Sequence, residues 1–197
     1  YLIGLFIADM RATLPPATIE EMIKELVTIP EKIELVLQGA SQVETIANKY
    51  HQISNTFYLG RGLDSMVARE GALKLKETSY IHAEAYPAGE LKHGPLALIE
   101  EGVLVIVLAT QEDLEEKTRS SIKAIKAKKG NIIGITKVEM AETIEECDDV
   151  FTIPPVSQIF ASLLSVVPLQ LLAYYMALAR GCNVDQPRNL TKAVTVE

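Results

Sequence analysis

The apolar positions change period along the chain, and those changes mark its elements. Tyr1 to Arg11, Thr18 to Val27 and Glu31 to Tyr50 read as helices. The third carries Ile33, Leu35, Val36, Val43, Ile46 and Ala47 at helical spacing, and Pro30 predicts a break before it. "TFYLGRG" then reads as a short strand running into a glycine turn. Asp64 or Ser65 is the expected cap of a helix that runs to about Ser79. Three more apolar runs, Val103–Ala109, Asn131–Thr136 and Val150–Ile153, are continuous rather than alternating, as expected of strands covered on both faces. Charged helical segments separate them, notably Glu112 to Lys129. Strand alternating with helix predicts an α/β fold: a three-layer αβα sandwich around a mostly parallel, doubly wound sheet of about five strands, with ligands at the carboxyl ends of the strands.

The segment "ASLLSVVPLQLLAYYMALA", Ala161 to Ala179, is apolar enough to suggest a membrane span. It carries Ser162, Ser165, Pro168 and Gln170, and it barely reaches the roughly 20 residues that a span needs. It reads as the centre of a Pro-kinked core helix from Gln158 to Arg180, with Gly181 as the residue that ends it. The opening "YLIGLFIADM" has no basic flank, so it is not a signal peptide. It reads as the last helix of an upstream unit. The expected division is therefore 1–27 as terminal helices and linker, 28–182 as the main domain, and 183–197 as a polar tail whose "KAVTVE" end has strand character.

Charge narrows the function. The net charge of −7 offers no basic surplus for nucleic-acid phosphates. Cys147 and Cys182 are far apart, and His51, His82 and His93 show no ligand spacing, so neither a disulfide framework, a metal site nor a cofactor is expected. The reducing cytoplasm is the expected compartment. Two turns invite a phosphate. "GRGLDS" offers one weak G-x-G. "ATQEDLEE" places four carboxylates beside Thr110, and they would repel a phosphate.

Two features carry candidate chemistry. Glu70, Lys74 and Glu77 recur on one helix face, which suits either a solvated row of ion pairs or an acid–base set; spacing leaves both open. His93 stands in "GELKHGPLAL", either as an ordinary loop residue or as a proton-transfer group presented by the Gly94-Pro95 turn.

The stretches "EGALKLKETSYIHAEAYPAGELKHGPLALI" and "VPLQLLAYYMALARGCNVDQPRNLTKAVTVE" resemble the isomerase half of the glucosamine-6-phosphate synthase family, which is built on sugar isomerase (SIS) domains. The resemblance implies a two-substrate reaction that converts fructose-6-phosphate and glutamine-derived ammonia to glucosamine-6-phosphate. It implies Glu77 as the base that moves a proton between C1 and C2, with Lys74 assisting. It implies His93 in ring opening, in the site of a neighbouring subunit of a homodimer, and Lys192 as a Schiff-base former in a closing tail. Thr191 and Lys192 would contact the substrate. The family's glutaminase domain and its Ser/Thr-rich phosphate cradle are not present in this sequence, so the 197 residues are expected to be inactive alone. Glu77 and Lys74 are expected at the carboxyl edge of the sheet. Competing readings are a non-catalytic SIS module that senses a sugar phosphate, or another SIS enzyme such as a deglycase or deaminase.

Overall fold

A computed structural model describes residues 1–190. The helices are α1 (Leu2–Met10), α2 (Pro16–Gln38), α3 (Ala40–Tyr50), α4 (Leu63–Ser79), α5 (Glu115–Lys126) and α6 (Ala161–Ala179). The strands are β1 (Asn55–Gly60), β2 (His82–Pro87), β3 (Leu104–Ala109), β4 (Asn131–Lys137) and β5 (Asp149–Ile153), joined in places by short 3₁₀ turns. All five strands are parallel, in the order β2-β1-β3-β4-β5.

Alternation along each strand divides the core in two. Tyr58, Ile106, Leu108, Ile135 and Ile153 face α2, α3, α4 and α6. Phe57, Leu59, Val105 and Val107 face α5 and the 3₁₀ turns. Every residue of β3 is buried, as a central strand covered on both faces requires. Gly71 sets how closely α4 approaches: a Cβ there would stand 2.6 Å from Leu169 Cδ1 on α6 and 2.9 Å from the Tyr58 ring on β1. The expected three-layer parallel fold is what forms.

Three local expectations change. First, the helix break lies at Gly39 rather than Pro30. α2 runs through Pro30, which faces solvent, because Ile29 and Val36 hold the helix on the core. At Gly39 a Cβ would meet the Phe151 ring at 2.9 Å, so the turn is placed where only glycine admits that ring. The division at 27/28 falls inside this helix. Second, Asp64 is not the helix cap. It lies in the first turn of α4, 2% exposed, and its carboxylate accepts from the Thr110 N–H at 2.7 Å and the Thr110 hydroxyl at 2.5 Å, across to the end of β3. Third, the strand that sequence reading leaves unplaced is β2, in what reads as the loop after α4.

α6 is a core helix that buries Leu164, Leu169, Leu172 and Met176. Among the described residues it is the one helix long and apolar enough to cross a membrane. It ends as expected at Gly181, in the left-handed region at φ 69°. The Gly181 N–H donates to Leu178 O and the Cys182 N–H to Ala177 O, both at 2.9 Å, which closes a Schellman turn.

Candidate active site

The α4 row is an assembled contact. Lys74 Nζ donates to Glu77 Oε2 at 2.7 Å and lies 3.8 Å from Glu70 Oε1. The side chains of Lys74 and Glu77 are 33% and 30% exposed, neither buried nor free in solvent. The hydrogen bond to Glu77 is the main reason that the Lys74 amine is held above its ordinary pKa, so it stays an ammonium at neutral pH. One turn on, the Thr78 hydroxyl donates to Lys74 O and to Ala173 O of α6, which ties this end of α4 to the core. A carboxylate held by a neighbouring ammonium on a braced helix is a fixed proton acceptor.

This pair stands at the amino edge of the sheet, not the carboxyl edge expected. The reason is topological. α4 leaves the carboxyl end of β1 and runs back antiparallel to it, so its last turn reaches the start of β2, which pairs Asn55 with His82. At the carboxyl edge, the buried polar groups Asp64, Thr110 and Lys137 are engaged by the protein's own groups. Besides the Asp64–Thr110 contact, the buried Lys137 at the end of β4 donates to Glu112 and to Val156 O and lies 3.5 Å from Glu139. Burial pushes the Asp64 carboxyl above the ordinary range, against the lowering effect of its hydrogen bonds from Thr110. Thr110, a candidate phosphate ligand by position, is fully buried with its hydroxyl turned to Asp64.

His93 closes a 3₁₀ turn (Leu91–His93) immediately before Gly94 and Pro95, and it is exposed. Leu91 and Ile99, on either side of it, pack with α5 on the second face of the sheet. Ala72 and Leu75 of α4 pack on the first. Within one chain, therefore, the sheet stands between His93 and the Lys74–Glu77 pair. The fold brings two of the expected site residues together and separates the third.

Thr191 and Lys192 lie outside the described residues. The described part of the tail runs back over the end of α4, where His51, Gln52, Ser79, Tyr80, Arg180 and Arg188 line an open cleft of about 470 Å³. Arg180 donates to Ser79 O, His51 O and Ile53 O, and so binds the carboxyl ends of α3 and α4 together. Sequence reading missed Tyr80, Arg180 and Arg188, because their partners are about a hundred residues away and no periodicity records them. Among the described residues no group of three His, Cys, Asp or Glu side chains is arranged to hold a metal ion.

Comparison with known proteins agrees with this architecture. The SIS domain model matches residues 49–180. The whole chain is 50% identical to glutamine–fructose-6-phosphate aminotransferase [isomerizing] of Caldanaerobacter subterraneus subsp. tengcongensis, and equally to that of Clostridium tetani. It spans 32% of the length of each. Among solved structures, the C-terminal domain of glucosamine-fructose-6-phosphate aminotransferase from Francisella tularensis superposes with a TM-score of 0.90 at 35% identity, over 93% of this chain and 52% of that one. Glucosamine-6-phosphate deaminase from Thermotoga maritima superposes with a TM-score of 0.68 at 26% identity, over 98% of this chain and 55% of that one. With the sheet, the helices on both its faces and the matched residues all in agreement, the chain belongs to the SIS domain family.

Proposed function

We propose that this chain is the isomerase-side SIS unit of a glutamine–fructose-6-phosphate aminotransferase, acting in the cytoplasm on open-chain fructose-6-phosphate to give glucosamine-6-phosphate. The observation that carries the reading is the Lys74–Glu77 contact, half-buried and braced at the end of α4 where the C-terminal tail arrives. In this reading Glu77 removes the proton from one of C1 and C2 and returns it to the other. The Lys74 ammonium orients that carboxylate through the hydrogen bond that it donates. Lys192 attacks the C2 ketone as a free amine, water leaves, and an imine forms; glutamine-derived ammonia then displaces the Lys192 amine from C2, so the nitrogen kept in the product is that of ammonia. Thr191 helps to hold the sugar.

His93 would assist ring opening. Its position across the sheet from Glu77 supports a homodimer in which His93 enters the neighbouring subunit's site. The internal engagement of the buried polar groups at the carboxyl edge supports the view that the phosphate is held by another part of the longer polypeptide, and that residues 1–197 do not turn over alone.

Borohydride trapping tests this reading. The full-length protein that contains this chain is reduced in the presence of fructose-6-phosphate, digested and mapped by mass. The expected adduct lies on Lys192 and is absent from Lys192→Arg, which keeps the charge but does not form a stable imine. An adduct on Lys74, or none in an active enzyme, would overturn the assignment.

A further inference from the structure

Tyr80 stands at the end of α4, three residues beyond Glu77, in the left-handed region at φ 60°. Glycine is the residue that this helix-ending conformation favours, and a tyrosine there is strained. The side chain offsets that cost. Its hydroxyl accepts the backbone N–H of Arg188 at 2.9 Å, and its ring lies 4.0 Å beneath the Arg188 guanidinium. Everything else that shapes the tail from Asn183 onward is local: Asn183 Oδ1 accepts the N–H groups of Asp185 and Gln186, and Leu190 N–H donates to Pro187 O. Among the described residues, the Arg188–Tyr80 hydrogen bond is the one that joins residues 183–190 to the rest of the fold. The start of the tail is fixed separately, by the Arg180 contacts and the Schellman turn.

We propose that Tyr80 is a positioning residue that clasps the C-terminal tail through Arg188, and so sets the tail's approach to the Lys74–Glu77 pair. Its catalytic consequence rests on the function proposed above; the clasp itself does not. Ring and hydroxyl act on different parts of Arg188, the ring on the side chain and the hydroxyl on the backbone, so the clasp constrains both the position and the orientation of the tail at that residue.

The test uses Tyr80→Gly in the full-length protein. Glycine suits the left-handed backbone and removes both contacts, so the fold survives while the clasp is lost. Tryptic cleavage of the Arg188–Asn189 bond reads the clasp directly. It is expected to be about tenfold to thirtyfold faster in Tyr80→Gly, as fits the loss of one cation–π contact and one hydrogen bond. Tyr80→Phe, which keeps the ring, is expected to fall between wild type and Tyr80→Gly. The melting temperature should be unchanged in both. In steady state, KM for fructose-6-phosphate should rise and kcat fall in Tyr80→Gly, with Tyr80→Phe restoring much of each. Unchanged cleavage after Arg188 would overturn the clasp. Faster cleavage with unaltered turnover would leave the clasp standing and remove the tail from the reaction, which is a failure of the proposed function instead.

Discussion

The two edges of the sheet hold comparable polar groups in opposite states. At the carboxyl edge, where open α/β sheets usually receive their ligands, Asp64 and Lys137 are buried and their partners are other parts of this chain. At the amino edge, Lys74 and Glu77 are about one-third exposed and Tyr80 anchors a tail that comes from the other end of the sequence. Groups satisfied internally and out of water brace the fold. A polar pair left partly open, beside a segment clasped at one point, retains the freedom to meet a substrate. In the function proposed above, the chemistry lies at the amino edge, opposite the edge where such sheets usually receive their ligands.

Substitutions at the two edges should break differently. The largest effect is expected from Glu77→Gln, which keeps shape and removes the proton acceptor. Turnover of the full-length protein should fall by about 10²–10⁴-fold with the unfolding midpoint nearly unchanged. Activity within a few-fold of wild type would return the α4 row to a surface ion-pair network. At the other edge, Asp64→Ala leaves the Thr110 N–H and hydroxyl buried without their acceptor. Chemical denaturation should show a loss of about 3 kcal/mol. Turnover per folded molecule should be kept, and a loss of activity without a loss of stability would make the carboxyl edge part of the site.

Lys137 sharpens the same contrast. Lys137→Ala empties a fully buried side-chain site and should cost about 2–3 kcal/mol. Lys137→Met refills it with apolar volume while the exposed Glu112 returns to water, and should stay within about 1 kcal/mol of wild type. The smallest expected effect is a pH dependence. The folded-state pKa of Asp64 is raised by burial, so the folded chain takes up this proton at a higher pH than the unfolded chain does. Wild type should therefore gain stability relative to Asp64→Asn as pH falls from neutrality through the folded pKa, and the gain should level off below the unfolded carboxylate value of about 3.9. Parallel urea midpoints for the two proteins across that range would show that the burial cost is absent.

Much of this molecule was settled by local sequence. Continuous apolar runs specify β1, β3 and β4 because a strand covered on both faces has no polar side to record. β5, expected to be the same, lies at the edge of the sheet and alternates instead, with Phe151 and Ile153 buried and Thr152 exposed. Gly181 ends α6 because only an unbranched backbone takes the left-handed turn there without strain. The spacing of four and then three residues from Glu70 to Lys74 to Glu77 put them on one face wherever the helix went. β2 had a legible signal, since Ile81, Ala83 and Ala85 alternate with His82, Glu84 and Tyr86. Yet alanine is a weak strand former and Pro87 reads as loop, so pairing with β1 decided it.

Other features depended on chain ends meeting. Pro30 looked like a stop, and the core contacts of Ile29 and Val36 carried the helix past it. Asp64 carries the signature of a helix cap; its burial beside Thr110, forty-six residues on, makes it a brace across the sheet. Which edge received Glu77 followed from the antiparallel return of α4, and which face received His93 followed from the crossover between β2 and β3. Tyr80 and Arg188 met only because α6 brought the tail back to the end of α4. Periodicity records the direction of a side chain relative to its own element. The placement of elements against one another is set by burial summed over the whole core, and that sum has no local signature.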